Sequence, residues 1–154
     1  MVGALLLGGA LLVGLLVYMG NVAAHQQTSQ QRRITTKALL RIATTFDNDF
    51  HLNRDGAVWD HWDRTSQSVV SRADYINRHA RCNNAPGAAT DLKVTSGPSG
   101  FFEVHSSLAG VKLTDYWHYV DGQWRFSLIK SNPSAVALYR EPAAMYYRAL
   151  GCTK

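Results

Sequence analysis

The sequence predicts an α+β domain in which three helices precede an antiparallel sheet of about four strands, with a helical tail after the sheet. Between 34 and 76 the apolar residues recur at three- and four-residue steps, as in amphipathic helices. Between 91 and 130 the pattern changes to short β-branched and aromatic runs separated by turn residues. Asn132-Pro133 then opens the tail as helix cap and first-turn proline. The 154 residues have room for one domain.

The first predicted helix begins at Ile34 and ends near 53–56, where Asn, Asp and Gly cluster. A second, short helix starts near Asp55, whose carboxylate favours the positive end of the helix dipole. Asp60 and Asp63 are expected to be solvated. The buried stripe of the first helix is Leu39, Ile42, Ala43, Phe46 and Phe50, and the second helix contributes Val58, Trp59 and Trp62.

A third helix is predicted to start at Ser71, because Ser71-Arg72-Ala73-Asp74 resembles a capping box with Asp in place of Glu. It would bury Tyr75 and Ile76. In the tail, Pro142 must break or restart the helix, and Gly151 is expected to end it.

The segment 114–126, TDYWHYVDGQWRF, predicts a hairpin and its register. Asp121-Gly122 suits a two-residue type I′ turn, since both central residues need positive φ. This turn pairs Tyr119 with Trp124, Trp117 with Phe126 and Asp115 with Leu128. One face then reads Val111, Leu113, Asp115, Trp117, Tyr119, Trp124, Phe126 and Leu128, which is an apolar core with one acid in it.

Asp115 is the candidate functional residue. A carboxyl group among Trp117, Phe126 and Leu128 loses hydration, which raises its pKa and suits it to act as a general base. A strand end or bulge that turns it to solvent, or a hydrogen bond to a tyrosine or helix end, is the structural alternative. The nearest predicted donors, Tyr119 and the indole groups, are equally explained by packing.

Residues 2–19 form an uncharged apolar run long enough to cross a bilayer core. Residues 1–24 are therefore interpreted as a transmembrane signal anchor, with cleavage as a signal peptide after Ala24 as the alternative. Residues 25–33 are a polar tether, and 34–154 form the domain. The basic residues after the span are Arg32, Arg33, Lys37 and Arg41, and the positive-inside rule alone would keep the domain cytoplasmic.

Cys82 and Cys152 are the two cysteines, and each lies at the end of a predicted helix. A bridge between them would close a loop of about 70 residues and stabilise the fold by roughly 4 kcal/mol. Two buried reduced thiols in a cytosolic protein are the alternative. With the apolar N-terminus, the disulfide favours an extracytoplasmic domain.

The net charge of +5 comes partly from the basic residues near the span, which favours anionic lipid over nucleic acid as a neighbour. The aromatic residues follow core periodicity rather than alternating with basic residues on an exposed face, so no nucleic-acid partner is expected. The histidines lack metal-binding spacing, and no metal or cofactor is expected.

The order of elements resembles the nuclear transport factor 2-like superfamily over 34–131. The resemblance rests on 53–62 (NRDGAVWDHW), on Asp74-Tyr75 and above all on the hairpin segment 114–126. It implies a cone, in which a strongly curved sheet wraps around three N-terminal helices and leaves a pocket at the open end. Gly151-Cys152 with Cys82 resembles a secreted or membrane-tethered branch. The residues expected in the pocket or core are Phe46, Phe50, Trp59, Trp62, Tyr75, Trp117, Tyr119, Trp124 and Phe126.

Two functions follow as hypotheses. The favoured one is a non-catalytic, membrane-tethered, extracytoplasmic binding or scaffold domain, which would hold a small apolar ligand or contact a protein partner or a second copy through its sheet. It resembles the bitopic cone-shaped subunits of type IV secretion and lipid-import assemblies. The alternative is a small cyclase- or isomerase-like enzyme with Asp115 as general base. The fold alone implies no reaction.

Overall fold

The structure is a computed structural model that describes residues 35–82 and 87–152. From Ala38 onward these residues belong to one compact unit, Ala38–Lys154. The architecture is α+β, as predicted. The helices are α1 (35–51), α2 (Asp55–Asp60), α3 (Arg64–Gln67), α4 (Arg72–Cys82), α5 (Leu128–Ser131), α6 (Pro133–Arg140) and α7 (Ala143–Ala149), and the strands are β1 (Thr90–Ser96), β2 (Phe102–Leu108), β3 (Val111–Val120) and β4 (Gln123–Phe126).

Helix α1 buries the predicted stripe, with Leu39 and Ala43 almost inaccessible to solvent. After α2 the chain forms α3, a short helix that the apolar periodicity did not indicate. Asp63 caps α3 by accepting a hydrogen bond from the Ser66 amide at 2.6 Å. The expectation that Asp63 is solvated is therefore wrong, because capping an inner helix holds its carboxylate in the interior.

The predicted helix start at Ser71 is confirmed, since the Asp74 amide donates to Ser71 Oγ at 3.1 Å, while the Asp74 carboxylate binds Arg78. Helix α4 buries Tyr75 and also Arg78, a cation that needs partners at this depth. Arg78 lies 2.8 Å from the Asp74 carboxylate and donates to the Glu141 carbonyl at 3.0 Å. The second bond connects α4 to the chain between α6 and α7.

The sheet of the described residues has four antiparallel strands in the order β1-β2-β3-β4. The predicted turn between β3 and β4 is confirmed, because Asp121 and Gly122 have φ of 51° and 75°. The predicted pairs Trp117–Phe126 and Tyr119–Trp124 are confirmed as well.

The predicted pairing of Asp115 with Leu128 is wrong, because β4 ends at Phe126 and Leu128 begins α5. The chain leaves the sheet after Ser127, whose amide donates to the Tyr116 carbonyl at 2.8 Å. The Leu128 amide then donates to Ser66 Oγ at 2.9 Å, away from β3. Asp115 is instead paired with Val104 of β2.

The helical tail follows the predicted cap and breaker. The Asn132 side chain accepts the Ala135 amide at 2.9 Å, and Pro133 occupies the first turn of α6. Pro142 separates α6 from α7, and Gly151 ends the tail with φ of 69°. The disulfide between Cys82 and Cys152 is present, with the two Cα atoms 5.1 Å apart, and fastens the tail to the end of α4.

The core lies where the helices cover the middle of the sheet, and it contains most of the predicted aromatic residues. Trp62, Tyr75, Trp117, Trp124 and Phe126 are all buried. Tyr119 and Val111, predicted on the same face of β3, are each 61% exposed. Both lie near the ends of this long strand. The side chains still alternate between the two faces there, but no other element of the described chain covers them.

The predicted span 2–19 and tether 25–33, with Arg32 and Arg33, lie outside the described residues. In the described part of the chain, no helix combines the length and the apolar character needed to span a bilayer. Lys37 and Arg41 lie on the exposed side of α1.

Candidate functional site

A cavity of about 220 Å³ lies between the helices and the sheet. Aliphatic and aromatic side chains form most of its wall, and a few polar groups interrupt them. An apolar cavity with few polar groups is the usual form of a small-molecule site. The polar residues of the wall are Asp47, His79, Ser106, Thr114, Asp115, Ser131 and Asn132, and its larger apolar and aromatic residues are Phe46, Phe50, Val58, Trp62, Tyr75, Val104, Leu113, Trp117, Phe126, Leu128 and Tyr139.

Three rings from α1, β3 and β4 hold one part of the wall together. Phe46 meets Trp117 edge to face with ring centroids 5.2 Å apart, and lies 4.7 Å from Phe126. Trp117 and Phe126 are 5.5 Å apart. Because each ring contacts the other two, none is free to turn into the cavity without losing a partner. These three rings therefore bound the cavity and do not fill it.

Asp115 lies in this wall, as the hairpin register predicted. Burial, and then the neighbouring charge of Asp47, raise the pKa of Asp115 to about 6. No hydrogen-bond donor in residues 35–82 or 87–152 reaches its carboxylate. Asp115 therefore stands in an apolar cavity without the partners that a purely structural carboxylate normally has.

Asp47 is a second acid in the same cavity, and the sequence analysis did not select it. Its carboxylate accepts the Ala89 amide at 3.1 Å, so it also connects α1 to the start of the sheet. Burial raises the pKa of Asp47, while that hydrogen bond and His51 act in the opposite direction. The available signal was helical spacing, since Asp47 comes four residues after Ala43 and three before Phe50 on the buried side.

A chain of three polar side chains includes His79 and Tyr139 of the cavity wall. His79 Nδ1 lies 3.0 Å from the Asp55 carboxylate, and His79 Nε2 lies 2.6 Å from the Tyr139 hydroxyl. Burial lowers the pKa of His79 to about 4, so the imidazole is neutral at pH 7. Burial also raises the pKa of Asp55 above its usual value. An ionised Asp55 can only accept, so Nδ1 carries the proton and Nε2 accepts the Tyr139 proton.

Tyr139 connects this chain to the tail. Its ring stacks on Tyr146 of α7 at 5.5 Å and meets Tyr75 of α4 at 5.6 Å. Burial raises the pKa of all three tyrosines, so their hydroxyls stay protonated at neutral pH. His79 and Tyr139 also border a second cavity of about 390 Å³ beside Tyr146 and Leu150. The tail therefore supports one wall of the central cavity.

The structure brings most of the predicted pocket residues together, with exceptions at the hairpin tip and in α2. Trp59 is outside the central cavity, because its indole donates to the Val70 carbonyl at 3.1 Å. Tyr119 and Trp124 border a separate surface depression beside Ile42. The residues in the central cavity that were predicted are Phe46, Phe50, Trp62, Tyr75, Asp115, Trp117 and Phe126. The polar residues that were missed are Asp47, His79, Ser106, Thr114, Ser131, Asn132 and Tyr139.

In the described ranges, no group of three or more His, Cys, Asp or Glu side chains could hold a metal ion. The cavity is a largely apolar chamber whose polar groups include two acids. No protein-family model matches the chain, and no curated protein matches it in sequence.

Proposed function

We propose that this domain is a non-catalytic binding domain that holds a small, largely apolar ligand in the central cavity. The observation that carries the proposal is the cavity itself, whose volume of about 220 Å³ is bounded by packed aromatic rings. A dry apolar cavity of about 150 Å³ is enough to bind benzene, so this volume suits a one- or two-ring molecule. The rings that surround it are mutually braced, which favours a chamber formed before the ligand arrives.

Ligand-observed NMR with naphthalene and indole tests this proposal. The variant Ala43→Leu adds bulk to a cavity wall on α1, whereas Ala144→Leu makes the same change at an exposed position of α7. We expect saturation transfer from the wild type and from Ala144→Leu, and its loss in Ala43→Leu. Equal transfer in all three proteins would contradict binding in this cavity.

The domain is further proposed to be held by residues 1–24 at the outer side of a membrane, or secreted after cleavage near Ala24. The disulfide supports an oxidising compartment, and the apolar run at 2–19 supports export. Helices followed by a four-stranded meander, with a cavity between them, support kinship with the nuclear transport factor 2-like superfamily and its cone.

Labelling of intact cells with a membrane-impermeant amine reagent tests the location. Lys93 and Lys112 are exposed on the domain and should be modified in intact cells if the domain lies outside. Alkylation without reductant should leave Cys82 and Cys152 unmodified. Lysines that react only after lysis would place the domain in the cytoplasm.

A cyclase- or isomerase-like enzyme is the second candidate, and the environment of Asp115 favours it. A carboxyl group with a pKa of about 6 in an apolar cavity suits proton abstraction next to a carbonyl group. Deuterium exchange into a panel of cyclic ketones and enones tests this candidate. Exchange that is catalysed by the wild type and abolished in Asp115→Asn would replace the binding proposal by the enzyme.

A further inference from the structure

We propose that the ligand of the central cavity is an organic amine, bound with its positive charge beside Asp47 and Asp115. This inference rests on the proposed function, because it names the chemical class of the ligand for the same cavity. It is carried by the charge balance of the cavity wall, by the aromatic rings around the acids and by an unsatisfied donor in the same wall.

The wall of the central cavity contains two acids. Asp47 of α1 and Asp115 of β3 reach one cavity from two different elements, and the proximity of Asp47 raises the pKa of Asp115. No lysine or arginine is among the described residues that line this cavity. The electrostatic interaction with His51 lowers the pKa of Asp47, and His79, the histidine in the wall, is neutral at pH 7. The wall therefore carries negative charge that a bound cation would compensate.

The aromatic side chains supply the second step. Phe46, Phe50 and Trp117 line the same cavity as the two acids. The faces of such rings attract cations, and they also bury the apolar body that carries the charge. A simple metal ion would use only the acids, whereas an organic amine uses both the acids and the rings.

Trp117 adds an independent observation. Its side chain is completely buried and lies in the cavity wall, yet its indole N–H has no acceptor among the described residues. Buried indole groups normally donate a hydrogen bond. Trp62 of the same wall also has a buried indole N–H without an acceptor among the described residues, so a guest that carries an oxygen besides its amine would offer the acceptor that these indoles lack.

Binding of an amine should depend on pH in a defined direction. At pH 7.5 Asp115 is ionised and available to the ammonium group, and below its pKa of about 6 it must lose a proton before it can pair. We therefore expect affinity for an amine to fall about tenfold between pH 7.5 and pH 5, where the amine itself stays protonated. Asp47 adds to the same trend, because its pKa is also raised.

Three one-ring compounds of nearly equal size test the proposal by calorimetry on the full chain in detergent, with detergent-only titrations subtracted. They are 2-phenylethylamine, 2-phenylethanol and phenylacetate. We expect the amine to bind at least tenfold more tightly than the alcohol, and phenylacetate to bind most weakly. Asp115→Asn should remove about tenfold of the amine affinity and leave the alcohol unchanged. The matched control Asp121→Asn removes the same charge from an exposed turn, where Asn tolerates the positive φ.

The outcomes separate the two proposals. Equal affinities for amine and alcohol, both unaffected by Asp115→Asn, would overturn amine recognition while leaving ligand binding in place. Failure of all three compounds to bind would overturn both. If Asp115→Asn does not fold, Asp47→Asn and the pH dependence of the wild type decide the matter, and an amine affinity that is constant from pH 7.5 to 5 overturns the inference.

Discussion

Phe126 shows how much of this fold can depend on one side chain. Its amide donates to the His61 carbonyl at 2.9 Å, and its carbonyl accepts the Asp63 amide at 2.8 Å, so β4 is tied to the link between α2 and α3. Its ring contacts Phe46 of α1 and Trp117 of β3, both of which line the cavity. The residue thus joins helices, sheet and cavity.

Replacing Phe126 by Ala should lower the free energy of unfolding by about 3 to 5 kcal/mol, because it removes a buried ring whose neighbours cannot collapse into the space. Chemical denaturation followed by tryptophan fluorescence measures the change. Val111→Ala is the matched control, since Val111 is 61% exposed and should change stability by less than about 0.5 kcal/mol. A loss below about 1 kcal/mol for Phe126→Ala would show that the ring is not part of the core.

At the scale of elements, local chemistry predicted the turns and caps, while tertiary contacts decided the short helices. Asp121-Gly122, Ser71 and Asn132-Pro133 each use a mechanism contained within four residues, which is why the sequence revealed them. The sequence pattern predicts residues 128–130 as a continuation of β4, because two apolar residues after a strand are too few to show a helical period. Their helix is fixed by contacts distant in sequence, such as the bond from the Leu128 amide to Ser66 Oγ.

The tail is the part of the fold that depends most on one bond, because the disulfide at Cys152 is its covalent connection to α4. Changing both cysteines to Ser should cost about 4 kcal/mol in the loop-entropy account, since the bridge spans 70 residues. Denaturation in the absence of reductant measures the loss. Hydrogen exchange should show α7 losing protection before β2. Without the bridge, α7 is held by side-chain contacts such as the stacking of Tyr146 on Tyr139. Unchanged stability would mean that packing alone holds the tail.

At the scale of the whole molecule, helical periodicity predicted aromatic residues of the cavity wall, and strand parity predicted one of its two acids. Asp115 follows from counting along one hairpin, because alternate residues share a face. Asp47, His79 and Tyr139 lie on α1, α4 and α6, and their meeting depends on how those helices pack, which one-dimensional periodicity does not contain. Tyr119 shows the opposite limitation. The alternation of side chains along β3 predicts the face on which Tyr119 lies, but not that the described helices leave this end of the strand uncovered.

Among the groups whose pKa is shifted by burial, Asp115 and His79 affect stability in opposite directions. The pKa of Asp115 is raised to about 6, so its contribution is fully present below pH 3.8 and is lost as the pH rises through 6. The pKa of His79 is lowered to about 4, so its contribution is present above pH 6.5 and is lost as the pH falls toward 4. Between pH 4 and 7 these changes amount to about 2 kcal/mol for Asp115 and about 3 kcal/mol for His79. In the wild type they should offset each other to within about 1 kcal/mol.

Single variants should therefore show a dependence of stability on pH that the two opposing groups mask in the wild type. In Asp115→Asn, stability should rise from pH 4 to 7 relative to the wild type, because the variant lacks the stability that Asp115 loses over this range. In His79→Gln it should fall over the same range relative to the wild type. Urea denaturation at intervals of half a pH unit gives the slopes, and the slope is the readout because His79→Gln also disturbs the bonds to Asp55 and Tyr139. If stability relative to the wild type changed with pH in the same direction for both variants, the two groups would not be buried as the structure shows.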